Sequence, residues 1–227
     1  MTADGTQGIH FDPGRLNGII AGITAYLTAK NKVRDLTLNR SRELIRCCAN
    51  SIRATHRHEH AEALALLNEA KAAALTAKED AAAFPDVYYA GYLQDALKEL
   101  AEAATVLALV TGEPLPGPDD LGIEYAAYLN GLGEAMGEMR RYALDSMRRD
   151  DGAAAEGLLE VMDDVYSHLV AIDFPDSLTS GLRRTTDMVR GVTERTRGDL
   201  TTSYRQERLR AALQALEAQL EERRGQA

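Results

Sequence analysis

Two segments decide how this chain is read: Phe84–Val110, FPDVYYAGYLQDALKELAEAATVLALV, and Gly122–Arg149, GIEYAAYLNGLGEAMGEMRRYALDSMRR. In the first, Leu93, Ala96, Leu97, Leu100, Ala104 and Leu107 recur at helical spacing and form one apolar stripe, which leaves Asp95, Glu99 and Glu102 on the other side. The second repeats the pattern, with Tyr125, Tyr128, Leu132, Met136 and Met139 turned away from Glu134 and Glu138. Positions three or four apart stack on a helix, so Glu99 with Glu102, and Glu134 with Glu138, each point one way.

Between the segments, Gly112, Pro114, Pro116, Gly117 and Pro118 form a connection that must separate the two helices. Its shortness predicts antiparallel neighbours. At the helical rise, Glu99 and Glu102 then fall ~18 and ~14 Å before the loop and Glu134 and Glu138 ~18 and ~24 Å after it, within ~10 Å of one another along the pair. The plain alternative is a solvated acidic face. Against it, Asp95 with Glu99, Glu99 with Glu102, and Glu134 with Glu138 are like-charged helical neighbours, unfavourable unless a cation sits among them, and Lys98 and Arg141 give only partial relief.

Length and composition bound the rest. At 227 residues the chain supports a single core. Alanine, leucine, glutamate and arginine dominate, aromatics are 5%, and tryptophan is absent, which predicts an all-α fold. We expect residues 1–12 to be a flexible N-terminus, 13–198 one helical domain and 199–227 a C-terminal helical extension. Cys47 and Cys48 are adjacent on a helical stretch, so their side chains diverge, and no third cysteine offers a partner; this fits a reducing, cytoplasmic setting. No run approaches the roughly 20 apolar residues of a membrane span, and MTADGTQGIHFDPGR lacks a basic region followed by an apolar one. The net charge of −9 disfavours indiscriminate polyanion binding, yet 21 of the 26 basic residues are arginine, the side chain suited to phosphate.

Pro13 opens a long helix reaching His56, with Val33, Leu44, Cys47, Ser51 and Ile52 on one side. Opposite them Arg42, Arg46, Arg53 and Arg57 share a narrow arc along ~22 Å, a possible track for backbone phosphates or else an ordinary solvated face. Glu43 and Glu59 lie off that arc and are not expected to neutralise it. His56, His58 and His60 lack the HExxH order of a zinc protease and read as a polar turn. The next helix, 61–82, should bury Leu64, Leu67, Ala70, Ala74 and Leu75. Further on we expect a helix over 153–172 with Asp163 and Asp164 in solvent, and another over 177–195 carrying Leu178 and closed by Gly198. A last helix over 199–224 places Leu209, Leu213, Leu216 and Leu220 at spacings of 4, 3 and 4, a short coiled-coil seam better suited to a subunit contact than to its own domain.

In order along the chain, VRDLTLNRSRELI, FPDVYY, LKELAEA, YLNGLGEAMGEMRR and RTRGD make it resemble the translin family, and its TRAX branch more than translin proper, over about residues 33 to 198. The resemblance implies about seven helices assembled into hollow homo-oligomers, often octamers, that bind single-stranded RNA or DNA. TRAX-type subunits are similar to metal-dependent endoribonucleases. Their E-x-x-E falls on Glu99 and Glu102, and their acid-x-x-x-Glu falls on Glu134 and Glu138, where Glu134 stands in place of the usual aspartate. These four would hold Mg²⁺, or Mn²⁺ in its stead, while Arg42, Arg46, Arg53 and Arg57 hold the strand. Two readings compete: a translin-like binder without chemistry, and an all-α nucleotide pyrophosphatase, which also sets ExxE on one helix. A di-iron bundle is disfavoured because no histidine here follows a glutamate by three positions.

Overall fold

The computed structural model describes residues 11–225, which are all-α. Most of the expected flexible N-terminus, residues 1–10, lies outside the described residues. Nine helices occur among those described: α1 Pro13–His56, α2 His60–Ala81, α3 Pro85–Tyr88, α4 Gly91–Thr111, α5 Pro118–Leu121, α6 Tyr125–Arg148, α7 Gly152–Val170, α8 Asp176–Thr179 and α9 Leu182–Gly225. Three of them, α3, α5 and α8, are single turns of four residues, so six long helices build the bundle.

Asp12 caps α1 by accepting from the Arg15 backbone N–H at 3.1 Å, with Pro13 at the first helical position. The chain turns at Arg57–Glu59, where His58 is left-handed (φ 61), and α2 returns along α1 with Ser51 Oγ donating to the Ala63 carbonyl at 2.8 Å. The buried side of α2 is Ala63, Leu67, Ala70, Ala74, Ala77 and Ala81. Leu64 and Leu75, expected inside, are exposed: the alanine stripe lets α2 lie close to its neighbours and rotates the larger leucines outward. The core centres on α4, whose Leu93, Leu97, Leu100 and Val106 are almost fully buried between α1 and α6. Tyr125, assigned to the apolar side of the second acidic helix, is exposed at its first turn.

The expected antiparallel pairing of the two acidic helices is incorrect. Tyr88 Oη donates to Glu124 at 2.9 Å and Lys98 Nζ to Glu134 at 2.8 Å, both across 36 positions, and Gly131 lies against Lys98 and Glu102. A constant offset means that α4 and α6 run in the same direction. Gly112 (φ 72) turns the chain out of α4. The proline-bearing strap then travels back along α2, from beside His60, Ala61 and Leu64 to Gly122, whose carbonyl accepts from Lys78 at 3.3 Å. Extended backbone covers about 3.3 Å per residue against 1.5 Å in a helix, so extended residues 113–117, followed by the single turn of α5, carry the chain most of the way back along α2. The first acidic helix is also interrupted: Ala90 is extended (ψ 140), separating α3 from α4.

Helix α9 passes through Gly198 without a break, against the expected stop there. An internal glycine costs about 1 kcal/mol, but anchors on both sides offset it. Arg197 pairs with Asp163 at 2.7 Å, Arg140 pairs with Asp199 at 2.8 Å, and Leu200 is buried. Asp163, expected in solvent, is partly exposed and also serves as an ion-pair partner. The helix expected over 177–195 is split by Ser180 (φ 51) and Gly181 (φ 82), which leaves Leu178 exposed on α8. No helix among the described residues is long and apolar enough to cross a membrane.

Candidate metal centre

The parallel register determines which acids meet. A side-chain Cβ at Gly131 would lie 2.3 Å from the Lys98 carbonyl, 2.7 Å from Ala101 Cβ and 3.0 Å from the Glu102 backbone nitrogen. Glycine thus lets the α6 backbone rest on α4 at the level of the acids. As a result Glu99, Glu102 and Glu134 each present a carboxylate oxygen such that all three lie within 4.8 Å of one another, in a half-buried position. They do not project from a freely solvated face.

Glu138 is the fourth expected ligand, and it does not join this triad. Its carboxylate is hydrogen-bonded to His56 Nε2 and lies 3.8 Å from Arg141. The His56 side chain is only 6% exposed. It stacks on Tyr142 with ring centroids 4.7 Å apart, and Tyr142 Oη donates to the Thr55 carbonyl at 2.6 Å. The end of α1 therefore clamps one turn of α6. The histidine run does form the expected turn, but its first member is part of the site, which the sequence reading missed.

The electrostatics follow from this crowding. Burial pushes the Glu102 carboxyl up to about 8, reinforced by Glu99, Glu134 and Glu138 and opposed by Lys98. Burial also raises Glu99, with Lys98 opposing. The hydrogen bond from His56 instead holds Glu138 below the usual carboxylate range. Beneath the acids, burial pushes the Cys48 thiol up, and Glu99 adds to it, so Cys48 is an inert core thiol. Lys98 brings one positive charge to three carboxylates, which leaves an oxygen-lined site with excess negative charge.

No family model matches the chain. An uncharacterized protein of Methanocaldococcus jannaschii is 31% identical over 194 residues, which cover 85% of this chain and 86% of that protein. Among solved structures, Archaeoglobus C3PO, a translin/TRAX assembly, is 33% identical over 82% of this chain and 96% of its own, with a TM-score of 0.76. A second structure of the same protein, in complex with duplex RNA, covers 84% of this chain and 96% of its own at a TM-score of 0.72 and 33% identity. The chain belongs to the translin/TRAX family. The fold extends to apo C3PO from Neurospora, 19% identical over 86% of this chain and all of that one, with a TM-score of 0.73. Membership of the translin/TRAX family leaves the pyrophosphatase reading without support.

This translin/TRAX chain also carries the arginine stripe. Arg42, Arg46, Arg53 and Arg57 are all exposed, on the side of α1 opposite its buried residues and not directed at the carboxylates. The expectation that nearby acids leave the stripe alone fails for two members. Arg46 reaches Glu43 at 3.5 Å, one helical turn away, while Arg57, beyond the last turn of α1, pairs with Glu59 and lies 3.7 Å from Glu62. Arg53 donates to Asn50 at 2.8 Å, and neither it nor Arg42 has a carboxylate partner among the described residues.

Proposed function

We propose that this translin/TRAX-family chain is a TRAX-type, metal-dependent endoribonuclease acting on single-stranded RNA inside a hollow, cytoplasmic homo-oligomer, an octamer by resemblance. The observation that carries this reading is the convergence of Glu99, Glu102 and Glu134 from two parallel helices within 4.8 Å. A purely structural surface has no use for three half-buried acids crowded together, where burial and neighbouring carboxylates raise Glu99 and Glu102. An all-oxygen donor set suits a hard divalent cation, Mg²⁺ or Mn²⁺. When bound, such an ion polarises the phosphodiester and activates water.

The chain's own groups do the rest. Glu99, Glu102 and Glu134 hold the cation. Lys98 fixes Glu134, and His56 fixes Glu138 in reserve at the edge of the site. Glu134 is one methylene longer than aspartate, and that reach brings an α6 carboxylate across to α4. Arg42 and Arg53, the members of the stripe without a carboxylate partner among the described residues, hold backbone phosphates. The structure of an Archaeoglobus relative with duplex RNA supports RNA as the partner.

The test is cleavage of a short unstructured RNA, a single-stranded DNA and an RNA duplex, each with Mg²⁺, Mn²⁺ or EDTA, by wild type and Glu134→Ala. Cleavage of the unstructured RNA that needs the metal and falls by at least about 100-fold in the variant is expected, as for loss of a catalytic metal ligand. Equal activity in every arm removes the nuclease reading, and tight metal-independent binding without cleavage assigns the chain to the non-catalytic class.

A further inference from the structure

The last part of α9 has no counterpart to pack on among the described residues. Leu209, Leu213, Leu216 and Leu220 are each between 51 and 61% exposed. The face of α9 that meets the bundle is different: Leu200 is buried, and Ser203, Tyr204 and Glu207 line the groove with Met147, Asp150 and Gly152, while Gln206 and Arg210 sit at its edge, toward the leucines. At 100° per residue the four leucines lie on roughly the opposite side, so the seam points away from its own domain. A leucine-lined helix end of two heptads is marginal without a partner.

We infer that this seam pairs antiparallel with the same seam of a second copy of the chain, an inference that rests on the homo-oligomer reading above. Spacings of 4, 3 and 4 place the leucines at successive core positions of a heptad repeat. In an antiparallel pair Leu213 meets Leu216 of the other copy and Leu209 meets Leu220. The flanking positions that face each other in this arrangement are Arg210 and Glu217, of opposite charge and repeated twice by the two-fold symmetry. A parallel pair would instead set Arg205 against Arg210 of the other copy, a like-charge contact. Gln206 and Arg223 at the next core positions close the apolar run at both ends. Arg210 is available for the contact: its intramolecular approach to Asp150 is 3.9 Å, with both side chains more than half exposed.

Sedimentation of full-length protein tests the mass. Wild type runs as an oligomer and Leu213→Glu with Leu216→Glu drops to at most about half its mass, as for loss of an isologous contact, with helical circular dichroism unchanged. Glu217→Arg weakens the assembly, and the added Arg210→Glu restores it. Co-expressed Leu213→Cys and Leu216→Cys chains cross-link to each other while neither does so alone. A monomeric wild type defeats the homo-oligomer reading itself. An oligomer whose mass ignores the leucine substitutions overturns only the seam. Cross-linking of Leu213→Cys to itself, or to Ile20→Cys in the exposed apolar start of α1, overturns the antiparallel pairing.

Discussion

Glu102 carries the largest electrostatic strain at the site. Its carboxyl titrates near 8 in the folded chain, against an ordinary value of 4.5. Between those values the folded chain keeps a proton that the unfolded chain has lost, so stability of the metal-free protein falls as pH rises from 4.5 to about 8 and levels off above. Glu102→Gln should flatten this dependence and stabilise the EDTA-treated protein by about 1–2 kcal/mol at pH 8, with little effect at pH 5. Thermal unfolding across that range measures it. Saturating Mg²⁺ should reverse the order, stabilising wild type more than the variant. His56 makes the opposite case, since it satisfies a half-buried carboxylate. His56→Ala should cost about 2 kcal/mol by leaving Glu138 without its buried donor. Arg141→Ala, at the exposed side of the same carboxylate, should cost under about 1 kcal/mol. Denaturant titration of the two variants decides between them.

At the scale of elements, the contact between α4 and α6 depends on a residue with no side chain. Replacing glycine by alanine inside a helix ordinarily stabilises by about 1 kcal/mol. Gly137 faces open space, so Gly137→Ala should show that gain. At Gly131 the added methyl meets the backbone of α4, which cannot move aside as a flexible side chain could. Gly131→Ala should therefore destabilise by about 2–3 kcal/mol and weaken Mn²⁺ binding, because separating the helices separates Glu102 from Glu134. Denaturant midpoints and calorimetric metal titration check both signs. The helical character of α4 and α6 was readable from their apolar stripes. Their relative direction was not, because loop length suggests an antiparallel return only when the loop is compact, and Pro114 and Pro116 keep the first part of this one extended.

For the whole molecule, RNA binding should divide the arginines unequally. Arg42→Ala with Arg53→Ala should weaken RNA affinity and lower the slope of log affinity against log salt by about 1–2, since each phosphate contact contributes close to one. Arg46→Ala with Arg57→Ala should do less, because Glu43, Glu59 and Glu62 already engage those side chains. Fluorescence anisotropy over a salt series separates the two pairs. The sequence by itself determined the helical class, because apolar residues at helical spacing have few alternatives once proline is confined to connections and helix starts. It also determined that Glu99 with Glu102 and Glu134 with Glu138 share faces, since that follows from helical geometry alone. Only the tertiary structure decided that Glu134 joins the α4 pair while Glu138 turns to His56, 82 positions away. Such partners are chosen by the rotation and direction in which helices dock, and those depend on contacts such as Gly131 against Lys98 that no local pattern encodes.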